Sequence, residues 1–155
     1  MLNRDFKEFV ALLNSTGVEY LVVGGYALAA HGHPRYTGDI DFWVNPTSAN
    51  AERLMSVLDQ FGFGGIGISK EDFTRPESVV QLGYPPARID LLTAIDGVRF
   101  DECYARRIEV DVAGSRLFLI ALADLRANKK AAGRAKDLAD LEALDEPPCA
   151  DENPE

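Results

Sequence analysis

The chain has 155 residues, the length of one ordinary domain, and 46% of them are hydrophobic, so a buried core is expected. Its 16 Lys and Arg residues against 25 Asp and Glu residues give a net charge of −9, which argues against a protein that coats nucleic acid through a broad basic face. No apolar run approaches the ~20 residues that span a bilayer, the N-terminus lacks an apolar secretion signal, and two distant cysteines cannot form a disulfide framework. We therefore expect a cytoplasmic protein that does not contact membranes.

Hydrophobic periodicity and turn residues predict helices and strands that alternate along the chain. In chain order, the predicted elements are a helix over residues 5–14, a strand over 20–23, a helix over 26–31, a strand over 38–44, a helix over 46–58, strands over 79–83 and 88–92, a helix over 100–105, strands over 108–112 and 116–120, and helices over 121–131 and 135–144. Residues 61–70, which include four glycines, are predicted to be a loop with weak strand character. The pattern indicates one α/β domain with a mixed sheet over residues 1–144, followed by an acidic, loose tail over 145–155.

Two aspartates lie two residues apart on the predicted strand 38–44. Asp39 and Asp41 point to the same face of that strand, whereas Ile40 and Phe42 face the core. Two carboxylates about 6 Å apart repel each other by about 2–3 kcal/mol at an effective dielectric constant of ~20. A divalent cation bound between them turns this repulsion into attraction, and oxygen ligands favour Mg²⁺ or Mn²⁺ over zinc. The alternative interpretation is a solvated strand end.

A third aspartate lies within another predicted strand. Asp90 is a charged residue in the otherwise apolar run 89–92. A single aspartate of this kind is usually at a sheet edge, but three strand carboxylates converge if the two strands are neighbours. Two metal ions held by three carboxylates suit an in-line displacement at phosphorus. One ion would lower the pKa of the attacking hydroxyl, with Asp90 as its base, and the other would hold a triphosphate.

A glycine pair joins the predicted strand 20–23 to the helix 26–31. Gly24 and Gly25 let the backbone approach a phosphate closely, and the helix N-terminus offers unpaired N–H groups. A tight strand-to-helix turn explains the two glycines equally well. The dinucleotide-binding and P-loop signatures are both excluded, because the turn is neither Gly-x-Gly-x-x-Gly nor followed by Gly-Lys-Ser/Thr.

Together these residues resemble the signature of a known enzyme superfamily. The resemblance is carried by Gly24, Gly25, Tyr26, Ala27, His31, Gly32, Arg35, Thr37, Asp39, Ile40 and Asp41, with Asp90 as the matching third acid. The chain resembles the DNA polymerase beta-type nucleotidyltransferase superfamily, and within it the minimal bacterial nucleotidyltransferases of the abortive-infection and toxin–antitoxin type. The resemblance is strong over residues 18–92 and weaker over 120–144, where a similar basic helical motif contains Lys129, Lys130, Arg134, Lys136, Asp137 and Asp140.

The resemblance implies a mixed sheet flanked by helices, with a nucleoside triphosphate and two Mg²⁺ or Mn²⁺ ions at its open face. It implies transfer of a nucleoside monophosphate to an acceptor hydroxyl with release of pyrophosphate. Asp39, Asp41 and Asp90 would be the catalytic and metal-binding residues, and Gly24 and Gly25 would bind the nucleotide.

Other residues are candidates for nucleotide contacts. Tyr26 could supply the hydroxyl that many relatives have as serine at the second position of the turn, although a packed aromatic is the simpler role. Arg35 and Thr37 precede the aspartate pair closely and could reach substrate. Residues 126–136 contain no acid and five bases, which are Arg126, Lys129, Lys130, Arg134 and Lys136. These bases either clamp an anionic ligand, which would be the triphosphate or a nucleic-acid acceptor, or form a solvated helix face. The adjacent Lys129 and Lys130 cannot both reach phosphate.

Three functions are compatible with the sequence. The favoured one is a nucleotidyltransferase that acts on RNA or protein, in a toxin–antitoxin or abortive-infection system. The second is a small-molecule nucleotidyltransferase of the antibiotic-modifying type, and the third is a non-catalytic module that binds a nucleotide or a partner. Because few residues follow Asp90, we expect a partner protein or a homodimer to complete the acceptor site. The sequence contains no motif that selects a particular base or acceptor.

Overall fold

The computed structural model describes residues 2–33, 38–64 and 67–145. In chain order the elements are α1 (Arg4–Thr16), β1 (Tyr20–Val23), α2 (Gly24–Ala30), β2 (Ile40–Val44), α3 (Ser48–Phe61), a 3₁₀ helix (Lys70–Phe73), β3 (Val79–Leu82), β4 (Ile89–Leu92), α4 (Phe100–Ala105), β5 (Ile108–Val112), β6 (Ser115–Leu119), α5 (Leu122–Ala132) and α6 (Ala135–Leu144). Every predicted helix and strand is present, with its ends shifted by a few residues. The predicted tail lies outside the described residues from position 146 onward.

The six strands form one mixed sheet in the order β3-β4-β2-β1-β6-β5. The pairs β2–β4 and β1–β6 are parallel, and the remaining neighbours are antiparallel. This confirms the prediction of a mixed sheet flanked by helices, an α/β fold consistent with a nucleotidyltransferase fold. The order also makes the two acid-bearing strands, β2 and β4, direct neighbours.

One face of the sheet is covered by α1 and α3. Side chains that alternate along β1 and β2, such as Val22 and Phe42, pack there with the buried apolar residues of both helices. Phe9 of α1 contacts the ring of Phe42 at a centroid distance of 5.6 Å. This layer forms the larger part of the hydrophobic core.

The opposite face of the sheet is apolar at one end and acidic at the other. Leu21 and Trp43 pack under α4 and α5, and the Trp43 ring meets Phe100 edge-on at 5.2 Å between centroids. Asp41 lies two residues before Trp43 on β2 and therefore points to the same face. The helices leave this acidic end uncovered, so a cavity is formed above it.

Two helices run further than the sequence predicted. α1 continues to Thr16 rather than residue 14, and α3 continues to Phe61 rather than residue 58. In each case the helix ends where Gly17 (φ 79°) or Gly62 (φ 98°) adopts the left-handed conformation of a helix C-cap. Polar residues such as Asn14 therefore did not end the helix.

The described residues between Phe61 and Lys70 form a loop, as predicted, but without the predicted weak strand character. The described part of this stretch contains no strand, and a 3₁₀ helix starts at Lys70. Its start is fixed by Asp72, whose carboxylate accepts a hydrogen bond of 2.9 Å from the backbone N–H of Ser69. Among the described residues, no helix is both long and apolar enough to cross a membrane.

Candidate active site

The parallel pairing of β2 and β4 brings two predicted site residues together. Asp41 and Asp90 are direct register partners, with Val23 of β1 opposite Asp41 on its other side. Directly paired residues of neighbouring strands share one face, so the two carboxylates stand side by side. Asp39 comes just before β2 and points to that same face. The prediction that the three carboxylates converge if their strands are neighbours is consistent with this arrangement.

Burial and crowding favour the protonated form of Asp41. Desolvation is the largest cause that raises the pKa of Asp41 to about 7, followed by the charge of Asp90 and a hydrogen bond shared with it. The charge of Asp39 adds to this rise, whereas the charge of Lys136 opposes it. Below a pH of about 7 the protonated form of Asp41 therefore predominates.

Arg88 is a part of the site that the sequence analysis missed. Its guanidinium binds Asp90 through two hydrogen bonds, from Nε to Oδ1 at 2.6 Å and from an Nη to Oδ2 at 3.1 Å. The same Nη lies 3.4 Å from a carboxylate oxygen of Asp39. The sequence did contain a signal, because Arg88 is two residues before Asp90 and so shares its face of the strand.

Gly24 lies against Asp41 and has no room for a side chain. It adopts a φ of +70°, and a Cβ atom placed there would lie 2.4 Å from Oδ2 of Asp41. Gly24 and Gly25 form the start of α2, directly after β1. The glycine turn is therefore fitted to Asp41 as well as being open to a ligand, which explains why glycine rather than another residue stands at position 24.

A cavity of about 770 Å³ lies above the carboxylates. The three aspartates and the glycine turn form its floor, and the residues just before and at the start of β3 form one wall. The other wall is built by the segment after β4 and by α5 and α6. Residues of these two walls include Glu77, Ser78, Val79, Ile95, Asp96, Asn128, Lys129, Arg134 and Lys136. The volume falls within the range of small-molecule and cofactor sites.

The predicted basic residues of α5 and α6 fall into different environments. Lys129 is buried and its Nζ lies 2.8 Å from Asp140 and 3.5 Å from Asp137. Arg134 binds Asp137 through Nε at 2.7 Å, while most of its side chain is exposed to the cavity side. The Lys129 contacts fasten α5 to α6, and the Arg134 contact lies at the start of α6, so the positive charge of both residues is compensated by acids of α6.

Two further lysines of this motif differ in their access to the cavity. Lys136 is exposed, lines the cavity and acts electrostatically on Asp41, and no ion pair is found for it among the described residues. Lys130 is exposed but does not line the cavity. Arg126 also lies outside the cavity lining and binds Asp145. Lys136 is therefore the cation of the predicted clamp that is best placed to meet an anionic ligand.

The remaining predicted contacts are outside the cavity or outside the described residues. Tyr26 packs edge-on against Phe6, with 5.8 Å between the ring centroids, and it does not line the cavity. This agrees with the simpler role of a packed aromatic. Arg35 and Thr37 lie in the segment 34–37, which is not among the described residues.

The oxygen ligands of the site suit a hard divalent cation, although the Arg88 guanidinium lies between the carboxylates of Asp39 and Asp90. Asp39, Asp41 and Asp90 offer only carboxylate oxygens, the ligands preferred by Mg²⁺ and Mn²⁺. Within residues 2–33, 38–64 and 67–145, no three His, Cys, Asp or Glu side chains are already arranged as a metal-binding group. The three carboxylates fit a divalent cation in their chemistry and in the sheet face that they share.

Comparison with known proteins identifies one family. The chain matches a family described as "Nucleotidyl transferase of unknown function (DUF2204)" over residues 2–149. No curated protein matches the sequence. The match covers the whole sheet, the cavity and both helices of the basic motif.

Proposed function

We propose a function from the finding that the chain belongs to this nucleotidyl transferase family. The chain transfers a nucleoside monophosphate from a nucleoside triphosphate to a hydroxyl of an RNA or protein acceptor. Mg²⁺ or Mn²⁺ would be its cofactor. The observation that carries the proposal is the placement of Asp39, Asp41 and Asp90 beside the Gly24–Gly25 turn on the floor of one cavity. Three carboxylates at one end of the sheet, one of them with a pKa raised to about 7 by burial and by its neighbours, suit a site for a cation and a phosphate better than a purely structural role.

In the proposed reaction the acceptor oxygen bonds to the α-phosphorus, and the bond from that phosphorus to the bridging oxygen of pyrophosphate breaks. Asp90 takes the proton of the attacking hydroxyl, since it lies at the side of the aspartate group away from the glycine turn. Asp39 and Asp41, with Asp90, would hold two divalent ions, which supply charge compensation for the phosphates and acidify the attacking hydroxyl. Asp41 must lose its proton to take part.

The nucleotide is proposed to lie between the glycine turn and α6. Gly24 and Gly25 admit the backbone close to a phosphate, and Lys136 offers an uncompensated positive charge at the cavity wall. Arg134 is a second contact, because its exposed guanidinium retains free N–H donors beyond its bond to Asp137. Predicted contacts from Tyr26, Arg35, Thr37, Lys129 and Lys130 stay predictions.

The acceptor class and the biological setting are proposed from the sequence resemblance. RNA or protein is the favoured acceptor, and a toxin–antitoxin or abortive-infection system is the favoured setting. The cavity is bounded by β3, an edge strand of the sheet, and by two short helices. A partner protein or a second copy of the chain is proposed to extend the acceptor site beyond this edge.

A label-transfer experiment tests the proposal. The protein is incubated with Mg²⁺ and each α-³²P nucleoside triphosphate in the presence of total cell RNA and protein. We expect a labelled product that is lost in Asp41→Asn and Asp90→Asn. Asp5→Asn serves as the matched control, because Asp5 is exposed in α1 and does not line the cavity.

The outcome separates the competing functions. Sensitivity of the product to nuclease or protease identifies the acceptor as RNA or protein. If no label appears with RNA or protein, the incubation is repeated with added small hydroxyl compounds, and label that appears only then supports the antibiotic-modifying type. Equal labelling in the wild type and in Asp41→Asn contradicts the proposed role of the carboxylates.

A further inference from the structure

The Arg88 guanidinium lies between two of the three carboxylates, those of Asp39 and Asp90. Its guanidinium forms a two-bond contact with Asp90 and also reaches Asp39 within 3.4 Å. Arg88 and these two aspartates all line the cavity. A single positive group therefore compensates two acids at the place where the proposed function needs a divalent cation.

The orientation of Asp39 does not depend on the Arg88 side chain alone. The backbone N–H of Arg88 donates a hydrogen bond of 2.9 Å to Oδ1 of Asp39. The peptide link is retained whatever side chain stands at position 88. The guanidinium can therefore leave the acids while Asp39 stays fastened to the start of β4.

The surroundings of Arg88 allow such a movement. Its side chain keeps 24% of its accessible surface, and its ion pairs within the described part of the chain are with Asp39 and Asp90. Among the described residues, the polar contacts of its guanidinium are therefore all with carboxylates that line the cavity. An arginine that only stabilised the fold would more typically be held by groups outside the ligand cavity as well.

We propose that Arg88 is an exchangeable counter-cation of the carboxylate site: it holds Asp39 and Asp90 in the metal-free protein and is displaced when a divalent cation binds. This inference rests on the proposed metal-dependent function. Arg88 is thus a positioning residue that competes with the metal for the same oxygens, because a guanidinium and a divalent ion repel each other at close range.

Manganese binding to the purified full chain, without nucleotide or acceptor, tests the exchange. Free Mn²⁺ is measured by electron paramagnetic resonance during titration of the wild type, Arg88→Met and Arg88→Lys. We expect Arg88→Met to bind Mn²⁺ about tenfold more tightly than the wild type, because a competing positive charge is removed. Arg88→Lys keeps the charge and should stay within about threefold of the wild type.

Arg75→Met is the matched control. Arg75 pairs with Asp72 at 3.1 Å, is exposed and does not line the cavity. Its loss should leave Mn²⁺ affinity unchanged. Unchanged or weaker Mn²⁺ affinity in Arg88→Met would overturn the exchange, while leaving the proposed transferase function intact. Absence of Mn²⁺ binding in every variant would overturn the metal assignment itself, and the exchange with it.

A measurement on the wild type covers the case in which Arg88→Met does not fold. In ¹⁵N-labelled protein the Nε–H signal of Arg88 is identified by its loss in Arg88→Lys. Saturation with Mg²⁺ should shift this signal and speed its exchange with water, because the hydrogen bond to Asp90 is broken. A signal that stays unchanged at saturating Mg²⁺ would show that Arg88 remains on Asp90 and would refute the proposal.

Discussion

Asp41 and Asp90 are paired across the parallel strands β2 and β4, so two acids of one site share a single rung of the sheet. Burial and the neighbouring charge of Asp90 raise the pKa of Asp41 to about 7. The pairing stores unfavourable electrostatic energy in the metal-free protein at alkaline pH. Under the proposed function a bound cation would relieve this repulsion, and stability, pH and cation binding would then be linked at this pair of residues.

Asp41→Asn should stabilise the metal-free protein at pH 8 and have much less effect at pH 5. The carboxyl of Asp41 has a pKa of about 7 in the folded protein, against the ordinary value of 3.8 in the unfolded chain. The contribution of this carboxyl to stability is therefore fully present below pH 3.8 and is lost as the pH rises through 7. Thermal melts in EDTA at the two pH values measure the difference. Asp39→Asn is the contrasting variant, since the Asp39 carboxylate pairs with Arg88. Replacing that carboxylate by a neutral amide should lower the melting temperature. A melting temperature of Asp41→Asn below that of the wild type at pH 8 would contradict this account.

Gly24→Ala should abolish transfer activity, whereas Gly17→Ala should retain it. Both glycines have a φ between 70° and 79°, so alanine costs each protein about 1–2 kcal/mol of stability. Only at Gly24 would the added methyl meet the Asp41 carboxylate, and nothing lies within 4 Å of the corresponding atom at Gly17. Label transfer and chemical denaturation are measured on both variants. Equal loss of activity in the two would show that backbone strain, rather than contact with Asp41, is responsible.

Lys129→Met should destabilise the fold strongly, by about 3–5 kcal/mol, because it leaves Asp137 and Asp140 buried without their shared cation. Lys130→Met should change the free energy of unfolding by less than about 0.5 kcal/mol, since Lys130 is exposed. Urea denaturation of both variants measures the contrast. A stable Lys129→Met protein with weakened nucleotide binding would instead support the direct phosphate contact predicted from the sequence.

Lys136→Ala should raise the KM for the nucleoside triphosphate about tenfold and leave the melting temperature nearly unchanged. Lys136 is exposed at the cavity wall and faces the acidic floor, so its charge acts on a ligand rather than on the fold. Steady-state kinetics at several nucleotide concentrations measure the effect, with Lys130→Ala as the matched variant. An unchanged KM would place the triphosphate away from α6.

The sequence predicted the order of the elements and the acids of the site, because both depend on local patterns. Alternation along residues 38–44 placed Asp39 and Asp41 on one face without any knowledge of the sheet. Whether Asp90 joined them depended on which strands were neighbours, and that is decided by packing between segments about 50 residues apart. The prediction could therefore state the convergence only as a condition.

Partnerships between side chains were less predictable than their positions. The lysines at 129 and 130 look alike in the sequence, yet one is buried between two carboxylates and the other is exposed. The acids of α6 decide this difference, since they cover only the side of α5 that carries Lys129. Arg88 was missed for a similar reason, because its importance comes in part from its contact with Asp39, which lies just before a different strand.

The rung that joins β2 to β4 also makes the site a test of strand register. A shift of the β2–β4 pairing by one residue would turn Asp41 toward the face covered by α1 and α3 and place Ile40 or Phe42 above the cavity. A sheet shifted by one residue therefore cannot keep Asp41 beside Asp90 on the cavity face. Under the proposed function, a molecule that binds a divalent cation at this site must already have β2 and β4 paired in the native register. Cation binding during refolding would therefore report when the native pairing of these two strands forms.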